Sequence, residues 1–146
     1  MSAASPTLRY LVDMKGIWFA LLLAGCTEVS YTPLSVALTA DVDTATFETA
    51  ADYWRRCGVG VVADPRSDIT IDLANLDGEG GGVQRGGVIL IDYANAHDAF
   101  VFAHELGHVL GLRHDTSGAA AVMATTRYQL GEPYESDLAQ LASLGY

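Results

Sequence analysis

The sequence predicts an α+β fold, in which a sheet, a buried helix and an outer helix pack in layers. Three observations lead to this fold class. Short alternating apolar runs indicate several strands before residue 92, and an almost wholly apolar helix follows them. Half of the 146 residues are hydrophobic, which suits one domain with a real core.

The first predicted elements are a strand and an amphipathic helix. Residues 34–39 alternate well enough for a strand. Asp43 or Thr44 can cap a helix, and Gly58 can end it. The apolar face of this helix consists of Phe47, Ala51 and Trp54.

Three more strands are predicted after this helix. Residues 59–62 and 69–73 are strands on either side of the turn sequence DPRSD. The glycine-rich stretch 78–87 is predicted to be a flexible loop, and residues 88–91 form a compact apolar strand. Asn95 or Asp98 can then cap the next helix.

Two helices complete the predicted domain. The first is apolar on nearly every side, so it must be buried; its apolar residues are Phe100, Val101, Phe102, Leu106, Val109 and Leu110. The second spans residues 136–144 and is predicted to bury a stripe of leucines, namely Leu138, Leu141 and Leu144.

The run HELGHVLGLRH within and after the buried helix has the spacing of a catalytic zinc site. His104 and His108 lie four residues apart, so both point from one helix face. Glu105 projects near that face and is free to bind water. Gly111 tolerates positive φ and can turn the chain, which lets His114 approach from outside the helix. Three protein ligands leave a fourth position open, as catalytic zinc sites require.

Residues 104–114 resemble the extended zinc signature of the metzincin metallopeptidases. In that clan a methionine turn follows the third histidine, and Met123 has the matching position. The short gap and the closing helix resemble the matrixin branch, whereas Asp115 resembles the adamalysin-like branch. The resemblance covers residues 31–146, with the catalytic domain assigned to residues 34–146.

The resemblance implies the α+β metzincin fold, with a twisted mixed sheet, a buried active-site helix and a small C-terminal subdomain. It also implies a zinc-dependent endopeptidase. One zinc ion would be held by the three histidines, with Gly111 and Met123 as structural turns. Glu105 would act as general base and then as general acid in the hydrolysis of a peptide or protein substrate. The substrate would pair with an exposed strand edge, predicted at 88–92. The alternative function is a zinc-containing binding or adhesion lipoprotein without turnover.

The N-terminal region resembles a bacterial lipoprotein signal. Met14 and a lysine precede the apolar run 17–23, which is too short to span a membrane. The following LAGC resembles a lipobox, so Cys26 is the predicted lipidation site. Residues 1–25 are then an upstream segment and signal peptide, with Met14 a possible true start, and residues 26–33 are a tether. The alternatives are an ordinary cleaved signal with secretion, or an apolar segment packed in the core.

The net charge of the domain predicts which partners it can bind. Removal of residues 1–25, which contain two of the 8 basic and one of the 18 acidic residues, leaves 6 basic and 17 acidic residues, a net charge near −11, and no lysine. Such a surface repels nucleic acid and anionic headgroups, so attachment to the membrane by a lipid is expected. The protein is predicted to be an exported monomer.

Four remaining features are predicted to have no part in the chemistry. Cys57 is read as a buried free cysteine rather than a cysteine switch, and His97 as a surface residue. Asp77 and Glu79 lack the regular acidic spacing of a calcium loop, so calcium is possible but unsupported. Tyr128 lies too far beyond the methionine to be given the oxyanion role of some metzincins.

Overall fold

A five-stranded mixed sheet forms the centre of the computed structural model, which describes residues 32–77 and 81–146. Its strands run in the spatial order β2-β1-β3-β5-β4; only the β4–β5 pair is antiparallel among the described strands. The strands are β1 (Leu34–Leu38), β2 (Val61–Ala63), β3 (Thr70–Ala74), β4 (Gly82–Arg85) and β5 (Val88–Asp92). The signal peptide, Cys26 and all but the last two residues of the tether lie outside the described residues.

Strand β4 corrects two predictions. The stretch 78–87 is predicted to be a loop, but residues 82–85 form β4 and pair with β5; residues 78–80 lie outside the described residues. Strand β5 therefore has partners on both sides, and the edge predicted at 88–92 is wrong; the edge strand on this side of the described sheet is β4. The two strands can pair because Gly86 and Gly87 form a two-residue hairpin loop between them. Their φ values of 55° and 86° match the tight turn that joins antiparallel strands.

Helix α1 (Thr44–Arg56) forms as predicted. The Asp43 carboxylate caps it by accepting hydrogen bonds from the Thr46 backbone N–H and hydroxyl at 3.1 and 2.6 Å. These bonds also hold the pKa of Asp43 below its usual value. Gly58, with a φ of 90°, turns the chain after the last helical residues. The buried face of α1 packs against β2 and the next helix.

Helix α2 (Ala99–Val109) carries the first two histidines of the motif. Asp98 is its N-cap, whereas Asn95 ends a preceding 3-10 turn, so the structure selects one of the two predicted caps. The helix is largely buried, as predicted, and packs against α1 and β4. The Trp54 indole of α1 donates a hydrogen bond to the Ala103 carbonyl at 2.9 Å, which fixes the two helices together.

Helix α3 (Glu135–Leu144) corrects the predicted leucine stripe. Leu141 is buried, but Leu138 and Leu144 are 39% and 50% exposed. Asp137 takes the inward position instead and is fully buried. Because residues 137 and 141 lie four apart, they share the inner face. Hydrogen bonds to the carboxylate make this burial possible.

The α+β prediction is confirmed by this arrangement of mixed sheet and three α-helices in the described part of the chain. The core lies between the sheet and the two central helices, where Phe47, Trp54 and Phe102 are completely buried. Within residues 32–77 and 81–146, no helix has both the length and the hydropathy needed to cross a membrane.

Candidate active site

The two histidines of α2 are oriented by backbone carbonyls. The Nδ1 atom of His104 lies 2.7 Å from the Val122 carbonyl oxygen, and that of His108 lies 3.1 Å from the Leu112 carbonyl oxygen. A carbonyl only accepts hydrogen bonds, so Nδ1 carries the proton in both rings. The two Nε2 atoms therefore carry no proton, and each has a lone pair that can bind a metal ion.

His114 brings a third ring to the same point. Gly111 ends the helical path with a φ of 94°, and the chain then doubles back. The His114 Nε2 lies 3.1 Å from the Nε2 atoms of both His104 and His108. Tetrahedral ligands at about 2.0–2.1 Å from zinc lie about 3.3 Å apart, which is close to the observed spacing. The three rings therefore fit one metal ion.

Burial of His104 and His108 favours the neutral form of their rings, which is the form that binds a metal ion. It lowers the pKa of His104 and His108 below the usual histidine value, because the charged imidazolium is poorly solvated there. Only the neutral imidazole has a free nitrogen lone pair for a metal. Burial thus favours the neutral, metal-binding form of the two histidines on α2.

Glu105 lies beside the histidines and is only 5% exposed. Burial raises the pKa of its carboxyl group to about 7. A Cβ added at Gly82 of β4 would lie 2.6 Å from the Glu105 Cγ and 2.9 Å from its Oε1. The edge strand thus lies directly against the carboxylate, and only glycine permits this approach.

A tight turn at Met123 underlies the histidine cluster. The Met123 side chain is fully buried, and the Asp115 backbone N–H donates to its carbonyl at 2.7 Å. A Cβ added at Gly107 of α2 would lie 2.3 Å from the Met123 Sδ and 2.9 Å from a Trp54 ring carbon. Gly107 therefore lets this turn pack closely under the metal-binding face of α2.

Asp137 connects α3 to this turn. Its carboxylate accepts hydrogen bonds from the backbone N–H groups of Val122 and Met123 at 2.7 and 3.3 Å. It also accepts one from the Tyr53 hydroxyl of α1 at 2.7 Å. The Val122 carbonyl in turn orients His104. A continuous set of hydrogen bonds therefore runs from α1 and α3 to a histidine of the cluster.

The histidines and Glu105 open into a cleft of about 760 Å³. One wall is the edge strand β4, whose Gly82, Val83 and Gln84 line the cleft. The opposite wall follows the methionine turn. It contains Ala124, Thr125 and Arg127. A strand edge beside a catalytic carboxylate is a suitable surface for an extended peptide.

The features predicted to lie outside the site do so. The His97 side chain is 84% exposed, and Cys57 is a half-buried free thiol at the end of α1. Tyr128 lines a neighbouring cavity and not the histidine cleft. Among the described residues, which include Asp77 but not Glu79, the three histidines are the one group placed to hold a metal ion. The calcium suggestion thus gains no support.

Four residues of the site were not identified from the sequence. Gly82 and Gly107 make the close approaches to Glu105 and Met123, Asp137 accepts the bonds of the methionine turn, and Arg127 lines the cleft. The GG pair at 86 and 87 could have indicated the hairpin that places Gly82. Nothing local distinguishes the other three, because each depends on contacts distant in sequence.

This combination of fold and site defines a metal-dependent peptidase. A sequence model described as metallo-peptidase family M12 matches residues 33–139. The chain belongs to metallo-peptidase family M12, since the match covers most of its length. No curated protein matches the chain significantly. The family supports the predicted metzincin type, peptidase activity and metal ion; the matrixin branch gains no support and stays a prediction.

Proposed function

We propose that this peptidase is a zinc-dependent endopeptidase that uses Glu105 as its general base. One observation supports this most strongly. The Nε2 atom of His114 lies 3.1 Å from the Nε2 atoms of His104 and His108, and the three rings line the same open cleft as the buried Glu105 carboxylate. Neutral imidazoles at this spacing suit zinc, and an all-histidine set leaves a coordination position for chemistry. Zinc bound there would supply Lewis-acid activation of the scissile carbonyl and of the attacking water.

The protein groups perform the proton transfers. As the oxygen of the attacking water bonds to the carbonyl carbon, Glu105 accepts a proton from that water. Glu105 then passes the proton to the amide nitrogen, which leaves as the amine when the C–N bond breaks. Burial raises the pKa of this carboxyl group, and a higher pKa makes the carboxylate a stronger proton acceptor. Gly82 keeps β4 close to this carboxylate, so bulk water has little access from that side.

The edge strand provides the binding surface for the substrate. One edge of β4 pairs with β5, and its other edge belongs to the cleft. An extended peptide would add to the part of this edge formed by Gly82, Val83 and Gln84, by backbone hydrogen bonds. Such binding engages the main chain on both sides of the cut bond, which favours cleavage within a chain.

The test combines a peptide-library assay with metal analysis. Wild-type protein loaded with zinc should cleave internal bonds, and a chelator should abolish cleavage. Glu105→Gln should keep one zinc per chain and lose cleavage, whereas the exposed Glu132→Gln should retain it. His108→Ala should lose the metal. Full cleavage by Glu105→Gln would remove this residue from the mechanism, and a zinc-loaded wild type without any cleavage would favour the non-catalytic binding function.

For the cellular location, we propose export and membrane attachment through a lipid on Cys26. The LAGC sequence and the acidic, lysine-free domain support this proposal. The chain would act as a monomer on peptide substrates and would not bind nucleic acid. Mass spectrometry of the mature N-terminus tests the lipid directly. A lipidated Cys26 at the N-terminus is expected; a mature chain that starts elsewhere without lipid would indicate secretion.

A further inference from the structure

One wall of the cleft carries a cationic side chain that the catalytic scheme does not use. Arg127 follows the methionine turn by four residues, and Ala124 and Thr125 between them also line the cleft. Among the described residues of the cleft, Arg127 is the only arginine or lysine. The same wall that carries the turn beneath the histidines therefore presents a guanidinium group to a bound peptide.

The orientation of Arg127 is fixed by an ion pair. Its Nη2 lies 2.7 Å from the Asp98 Oδ2, but the two partners differ in exposure. The Asp98 side chain is 12% exposed, whereas that of Arg127 is 68% exposed. The carboxylate thus lies on the inner side of the pair, and the guanidinium group lies on the outer, accessible side.

Asp98 does not use its charge for Arg127 alone. Its second carboxylate oxygen accepts a hydrogen bond from the Phe100 backbone N–H at 3.1 Å, as the N-cap of α2. The helix N-terminus carries a partial positive charge that also stabilises this carboxylate. Asp98 therefore has bonding partners besides Arg127, and the exposed guanidinium group lines the cleft beside it.

A guanidinium group in this setting is suited to a carboxylate ligand. It has five N–H donors in a planar fork, and the ion pair above occupies one side of it. The remaining donors can bind a second carboxylate in the bidentate manner typical of arginine. The ion pair also restricts the side chain before substrate arrives, which reduces the entropy lost on binding.

We propose that Arg127 is a specificity-determining residue that selects peptides with an aspartate or glutamate side chain close to the scissile bond. This inference rests on the proposed peptidase function and names its substrate class. The net charge of −10 repels acidic peptides at long range, but that repulsion is screened beyond about 8 Å at physiological salt, whereas the direct contact is not. Selection therefore depends on the local pair.

The experiment compares two peptides that differ only by glutamate or glutamine beside the cut bond. Zinc-loaded wild type should cleave the glutamate peptide with a kcat/KM about tenfold higher or more, the gain expected of one charge-assisted contact. In Arg127→Gln the ratio should fall to near one, through loss of activity on the glutamate peptide. Arg66→Gln removes the same charge from an exposed turn outside the cleft and should keep the wild-type ratio.

Binding provides a readout that does not need turnover. Zinc-loaded Glu105→Gln should bind the glutamate peptide more tightly in a fluorescence anisotropy titration, and the double variant with Arg127→Gln should not discriminate. If no peptide is cleaved but this discrimination persists, the proposed peptidase function fails, whereas the role of Arg127 in binding a peptide carboxylate stands.

Two results would overturn the assignment. The first is equal cleavage and equal binding of the two peptides by proteins that retain Arg127. The second concerns the neighbouring cavity of about 430 Å³, which shares Asp98, Phe100 and Arg127 with the cleft. If Arg127→Gln leaves the glutamate preference unchanged and instead admits bulkier neutral side chains, Arg127 limits the size of the pocket and does not read charge.

Discussion

The buried Asp137 carboxylate accepts a hydrogen bond from the Val122 backbone N–H at 2.7 Å. Val122 is also the residue whose carbonyl orients the His104 ring. The position of a metal-site histidine is therefore coupled to a side chain on the last helix, although that side chain does not touch the three imidazoles. Asp137 acts as a positioning residue.

Asp137→Asn is expected to weaken both the fold and the metal site. An amide group presents N–H donors where the carboxylate accepts from Tyr53, Val122 and Met123, so at least one buried donor loses its partner. The free energy of unfolding should fall by about 1–3 kcal/mol, and zinc affinity by about 10-fold or more. Chemical denaturation and competitive chelator titration measure the two effects. Asp68→Asn, at an exposed position, is the control, and an unchanged zinc affinity in Asp137→Asn would refute the positioning role.

Gly107→Ala is expected to destabilise the protein because its Cβ would lie 2.3 Å from the Met123 Sδ. The methionine turn or α2 must move to relieve this overlap, at a cost of about 1–3 kcal/mol. Thermal unfolding of zinc-free and zinc-loaded protein measures it. Gly131→Ala is the matched control, since a Cβ there meets no atom within 4 Å. Equal melting temperatures for the two variants would contradict the packing described.

Gly82→Ala is expected to impair catalysis while it spares metal binding. The added methyl group would lie 2.6 Å from the Glu105 Cγ, so the carboxylate must shift away from β4. A displacement of this kind can reduce kcat by about 100-fold. Zinc content should stay at one per chain, because the three atoms nearest to the added Cβ all belong to Glu105 and none to a histidine. Kinetics and elemental analysis on the same sample test this, and a normal kcat would show that the carboxylate position is not critical.

Cys57 is expected to react slowly with alkylating agents and to have no influence on activity. Burial raises the pKa of its thiol from 9.0 to about 11. At pH 8 this leaves about 100-fold less thiolate than an ordinary cysteine has, and the thiolate is the reactive form. The rate should rise with pH up to the raised pKa. Site-resolved mass spectrometry after iodoacetamide treatment measures the labelling rate. Rapid labelling at pH 7, or inactivation on labelling, would indicate that Cys57 acts as a cysteine switch, a thiol that blocks the zinc.

Local spacing was enough to predict the central part of the site. His104 and His108 share a face because of helix periodicity alone, and Gly111 provides the turn that brings His114 to them. The caps at Asp43 and Asp98 follow from the same short-range rules. Each of these features is decided within about four residues of sequence.

Tertiary contacts decided the features that sequence reasoning missed. The hydrogen bond between Tyr53 and Asp137 joins residues 84 positions apart, and no local pattern indicates it. Leu138 looked like a core residue, but the buried carboxylate beside it sets the inward face of α3. The edge strand β4 was not predicted because it lies in a glycine-rich stretch, and glycine has a low strand propensity. Pairing with β5 outweighs this propensity, and Gly82 allows the close approach to Glu105.

X-ray absorption spectroscopy of the zinc-loaded protein, combined with zinc stoichiometry, determines whether three histidines bind one zinc ion. The structure places three imidazole nitrogens around one point and Cys57 outside the cluster. We predict one zinc per chain, a first shell of nitrogen and oxygen at about 2.0–2.1 Å with three imidazoles, and loss of the metal in His114→Ala. A sulfur ligand at about 2.3 Å, or full zinc occupancy in His114→Ala, would contradict the account.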